Sequence, residues 1–163
     1  MRTFLVLLFF FNSFSFAREK NLGAHEHGAL KIDMAIEKNQ IEISFDGPAE
    51  NFLGFEYLPK TTKEKKLYTK TENLWKKDLF QLFNFDKKLN CKILDSSFKQ
   101  VVEGSHSDID ANAKISCLSD VKSSSVLVTL KKHFTHIKKL KIEVISETPH
   151  SFEIIKPIEV ITL

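Results

Sequence analysis

Cysteine is scarce in this 163-residue chain, with only Cys91 and Cys117, and they stand far apart in sequence. That excludes C-x-x-C redox and zinc-finger spacing. There is no H-E-x-x-H helix, no serine in a G-x-S-x-G elbow and no glycine-rich phosphate loop, so no familiar catalytic constellation is present and no enzymatic activity is expected. Neither sign of charge dominates: 24 lysines and arginines face 21 acidic residues. The basic clusters at Lys63–Lys66 and Lys138–Lys141 are short, and no concentrated basic face marks a nucleic-acid partner. Beyond residue 17 no apolar run reaches the roughly 20 residues that a membrane-spanning helix requires.

The exception is the first seventeen residues. Arg2 precedes an apolar run from Phe4 to Phe11, and Ser15 and Ala17 form a small-x-small site. This is the pattern of a cleavable secretory signal with cleavage after Ala17. Residues 18–163 then form one domain outside the cytoplasm, and the formal charge falls from +3 to +2 because Arg2 leaves and no acidic residue does. Export bears on the two cysteines. A pair in a small exported domain is expected to be bonded, Cys91 to Cys117, and isolated spacing argues against a thiolate metal site.

The mature region reads as α+β, a mostly antiparallel sheet with one main helix. Leu30, Ile32, Met34 and Ile36 alternate with polar residues, Asn39 marks a turn, and Ile41, Ile43 and Phe45 alternate again, which predicts a hairpin. Residues 49–60 read as irregular. A helix is expected from Thr61 to about Phe83, capped by Thr61 or Thr62, with Glu64 in its first turn and Leu67, Leu74, Leu79 and Leu82 near helical spacing. Two alternating runs, 91–102 and 106–118, flank Gly104. A strand is expected over 126–130, a short helix over 131–138, and closing strands over 140–145, 151–155 and 158–163.

The motif richest in chemistry is Gly23-Ala24-His25-Glu26-His27-Gly28. If extended, it places His25 and His27 on one face, about 6–7 Å apart, with Glu26 pointing away. Two imidazoles at that spacing hold part of the shell of a Zn²⁺ ion, although an H-x-H near a terminus also occurs as a plain exposed pair. His106 opens a strand, with Asp108 and Asp110 alternating on the same face. His133 and His136 would share a helix face and suit packing or solvation, and His150 follows Pro149 in a turn.

The G-A-H-E-H-G segment, the P-A-E-N-F-L-G-F-E-Y-L-P segment from Pro48 to Pro59, the paired cysteines, H-S-D-I-D-A from His106 and the H-F-x-x-I-x-x-L-x-I-x-V run from His133 to Val144 occur in an order that resembles the ZrgA-like proteins. These are zinc-regulated periplasmic zinc-binding proteins of Gram-negative bacteria. The resemblance implies a periplasmic protein that assists zinc acquisition or buffering, with a zinc-uptake component as partner. It implies Zn²⁺ held by His25, His27 and His106, with Asp108 or water completing the shell. Imidazole and carboxylate donors also suit copper and nickel. Two departures stand out. Tyr57 occupies a place where the family commonly has histidine, and the family's long His-rich insert shrinks here to Glu103-Gly104-Ser105-His106. They keep a second reading open: a periplasmic interaction or chaperone-like module in which metal is incidental.

Overall fold

The computed structural model describes residues 26–163; the signal segment and His25 lie outside the described residues. The alternating hydrophobics do what their period dictates. Strands β1 (Ala29–Glu37) and β2 (Gln40–Pro48) pair as the expected antiparallel hairpin, with Met34 opposite Ile43 and Ile36 opposite Ile41. Lys38, in the left-handed region at φ 54°, turns the chain between them.

A one-turn helix, α1 (Glu50–Leu53), follows at once, within the stretch expected to be irregular. The main helix, α2 (Thr62–Lys76), starts where the sequence says. Thr61 accepts the Glu64 N–H, and the Glu64 carboxylate accepts the Lys60 and Thr61 N–H groups at 2.8 Å each. Those two amides hold its pKa down to about 2. The helix ends seven residues before Phe83. Leu79 and Leu82, expected within the helix, are instead buried from a 3-10 turn (Leu79–Gln81) that re-aims the chain into β3 (Phe83–Phe85). Spacing of three and spacing of 3.6 look alike over so short a stretch, so periodicity does not locate the break.

β4 (Lys92–Glu103) and β5 (His106–Ser116) form a long antiparallel pair. Lys92 lies opposite Ser116, which puts the flanking Cys91 and Cys117 side by side, and they are bonded. β6 (Ser125–Val128) precedes α3 (Leu130–His133), which is shorter than the expected helix and leaves His136 in the following turn. β7 (Lys139–Ile145), β8 (His150–Ile154) and β9 (Glu159–Thr162) close the chain, and His150 opens β8 opposite Val144 instead of standing in a turn.

The strands make two sheets, β4-β5-β2-β1-β7-β8 and β3-β6-β9. All pairings are antiparallel except β1 with β7, which run parallel from Ala29–Lys139 to Ala35–Ile145. The fold is thus the expected α+β with one main helix. One face of the large sheet carries Ile32, Met34, Ile43, Phe45, Ile109, Ile115 and Ile142 into a core shared with Trp75 of α2 and with Phe83, Val126 and Val128 of the small sheet. Phe52 of α1 stacks on Phe45 at 4.8 Å, and Trp75 meets Phe45 edge-on at 4.9 Å. Each such aromatic contact adds about 0.5–1.5 kcal/mol beyond the area it buries. These contacts seat α1 against the end of β2.

Candidate metal centre

α1 acts as the fastening point for two distant parts of the chain. Asn51, only 1% exposed, mimics a peptide: its Oδ1 accepts the Gly28 N–H at 2.9 Å and its Nδ2 donates to the Ala29 carbonyl at 2.8 Å. That ties the residues following His27 to the residue following Glu50. At the start of the helix, the Ala49 N–H donates to the Ser107 carbonyl at 2.9 Å, beside His106. Gly54 then ends α1 in the left-handed region at φ 77°. A side chain there would also crowd the His136 ring, whose Nε2 lies 3.3 Å from the position of an added Cβ. The reversal at Gly54 brings Glu56 back toward Glu50.

The outcome is a cluster of two imidazoles and two carboxylates. His27 Nδ1 lies 2.5 Å from Glu50 Oε2 and 3.3 Å from Glu56 Oε1. His106 Nδ1 lies 2.5 Å from Glu56 Oε2. The two rings stand 6.5 Å apart, edge to face. Both imidazoles are open to solvent, their side chains 57% and 66% exposed, whereas Glu56 is 18% exposed. Among the described residues no lysine or arginine pairs with Glu50 or Glu56. The carboxylates hold the His27 imidazole in its charged form above the usual histidine range, first through the hydrogen bond to Glu50 and then through the charge of Glu56.

The approach to this cluster is braced from the other side. Gln100, on β4, donates to the Tyr57 carbonyl at 2.9 Å and to the buried Ser107 hydroxyl at 2.7 Å. Tyr57 itself turns away from the cluster. Its hydroxyl donates to Glu64 at 3.0 Å, its ring stacks on Phe55, and the bond to Glu64 raises its pKa. A phenol kept neutral is a poor metal ligand, so Tyr57 contributes none to the cluster.

His27, Glu50 and Glu56 each offer a ligand atom within 4.8 Å of the others. Residues 24–160 match the ZrgA family, described as zinc uptake proteins. The chain belongs to that family. No match was found among curated proteins.

The donor set suits the ion in the family's description. Zinc accepts imidazole nitrogen and carboxylate oxygen at about 2.0–2.2 Å and takes about three protein ligands when a position stays open. Three donors that already converge need only small adjustments to close on one ion. The residues singled out by sequence divide as follows. His27 belongs to the converging group, and His106 touches it through Glu56. Asp108 is half-buried on the His106 face of β5, opposite Pro48, and is not one of the three converging residues. His25 lies outside the described residues. Residues 27–28 form a turn, with the Ala29 N–H donating to the Glu26 carbonyl. Strand alternation therefore does not govern where His27 points. Glu26 pairs with Lys139 at 2.7 Å.

Glu50 and Glu56 were not anticipated as site residues, although both stand in the quoted Pro48–Pro59 segment. The available signal was two carboxylates bracketing a short turn that ends in glycine. His133 and His136 do not share a helix, because α3 stops at His133, where burial lowers the pKa of the ring.

Proposed function

We propose that this protein is an exported, periplasmic zinc-binding protein that captures Zn²⁺ and holds it for an uptake system, working by binding and not by catalysis. The observation that carries the reading is the convergence of His27, Glu50 and Glu56 in a chain of the zinc uptake family. In this reading the signal segment 1–17 is cleaved after Ala17. His27, Glu50 and Glu56 hold the ion, and His106, His25 and Asp108 stand as further ligand candidates. The shell keeps a solvent-facing side, consistent with an ion that is loaded and passed on. Nitrogen and oxygen donors give moderate affinity and leave copper and nickel as competitors.

Isothermal titration of the metal-stripped protein with ZnSO₄ tests this. The expected result is saturable binding tighter than about 100 µM, equivalent to roughly 5.5 kcal/mol, that weakens when His27 or Glu50 is replaced by alanine. Binding absent, or indifferent to both substitutions, would sink the reading.

A further inference from the structure

Glu56 is the least exposed of the four clustered side chains, and it faces both imidazoles with different atoms. Its Oε1 is turned to His27 and its Oε2 to His106. His27 has its shorter contact with Glu50, so its half of the cluster is complete without His106. His106 is not a member of the converging group, and its ring stands nearly perpendicular to that of His27, at 76°. One ion drawing on both ring nitrogens would need the two halves to collapse together. Two ions sharing one carboxylate need no such movement.

We propose that Glu56 bridges two zinc positions: an inner one held by His27, Glu50 and Glu56 Oε1, and an outer one begun by His106 and Glu56 Oε2. This rests on the reading that the cluster binds zinc. At each position the ion takes the place of the proton between Nδ1 and a carboxylate oxygen, and that proton passes to solvent. The inner position has three described protein ligands and the outer has two, so they differ in strength. The outer position is on the more exposed ring and is the one from which an ion exchanges first.

The test is a ZnSO₄ titration of the metal-stripped protein by calorimetry, with the zinc count read by native mass spectrometry. Two ions per chain are expected, binding in steps separated by roughly tenfold or more in Kd. His106→Ala removes the weaker step and changes the first Kd by less than about threefold. Glu50→Gln weakens the first step by about tenfold or more and leaves the second in place. Glu56→Gln weakens both. Far-UV circular dichroism and melting without metal establish that each variant folds. One zinc at saturation overturns the bridge. So does a first step lost equally in His106→Ala and His27→Ala, which is the signature of one shared ion. A protein that takes up no zinc at all overturns the functional reading itself, a result distinct from either.

Discussion

Two groups of acidic residues on this molecule have similar make-up and opposite consequences. On the polar face of the large sheet, Asp33 and Glu143 meet Lys31 and Lys141: Lys141 lies 2.6 Å from Glu143, and Lys31 lies 3.3 Å from Asp33 and 3.6 Å from Glu143. At the end of the sheet, Glu50 and Glu56 meet only histidines among their described ion-pair partners. A lysine keeps its proton at any ordinary pH, so the first group is permanently neutralised and presents a solvated surface. An imidazole gives up its proton near neutrality and then becomes a metal ligand itself. Two carboxylates beside such groups keep an exchangeable counter-charge, and a divalent cation competes with the proton for the same place. The identity of the basic partner, more than the density of acid, separates the candidate metal centre from the solvated sheet face.

Substitution should expose that difference most strongly at the shared carboxylate. Glu56→Ala should weaken zinc binding about 100-fold or more, near 2.7 kcal/mol, whereas Glu143→Ala should leave the zinc isotherm within about twofold. Equal effects would erase the contrast. A smaller loss is expected from Asn51→Ala, which touches no ion but releases the segment after His27 from α1. Loss of such supporting contacts costs about 10–100-fold in metal affinity. The orphaned Gly28 and Ala29 peptide groups should also cost about 1–3 kcal/mol of stability. Titration and melting of one sample measure both, and an unchanged affinity would mean that α1 does not position His27.

Acidity sharpens the same comparison. Zinc must displace the proton that Glu50 and Glu56 hold on His27, so affinity should fall as pH drops through the raised His27 value, approaching about tenfold per unit below it. The metal-free fold carries the opposite sign. The imidazolium–carboxylate contacts are complete below the ordinary histidine value of 6.5 and are lost as pH rises through the raised one. Zinc Kd values from about pH 6 to 8, beside melting of the metal-free protein, read both, and a flat zinc profile would contradict the arrangement. The smallest effect belongs to the sheet face. Lys141→Ala should cost no more than about 1 kcal/mol and shift zinc affinity negligibly, because exposed ion pairs contribute little. A large loss of affinity there would mean the two groups are coupled.

What the sequence made legible follows the range over which each signal acts. The β1–β2 hairpin, the Thr61 cap and the placement of Cys91 and Cys117 on neighbouring strands are written in adjacent residues. The parallel pairing of Ala29 with Lys139 joins positions more than a hundred residues apart, and no local pattern announces it. The site divides in the same way. His27 and His106 belong to a set of six histidines, few enough to be weighed singly. Glu50 and Glu56 are two of 21 acidic residues, and the short glycine-ended turn they bracket is too common a signal to single them out. They become site residues because Gly54 folds the chain back and Asn51 brings the histidine segment to α1. Both effects exist only in three dimensions.

The Cys91–Cys117 bond has a consequence for the ion. It sits at the far end of the β4–β5 ladder from His106, eleven residues along the strand, or about 35 Å. Thiolates are the softest zinc ligands a protein owns, and soft donors favour zinc over harder cations. With both sulfurs spent on each other, the described residues leave zinc only imidazole and carboxylate. If the protein hands zinc on, as proposed, that donor set gives a grip firm enough to collect and loose enough to surrender.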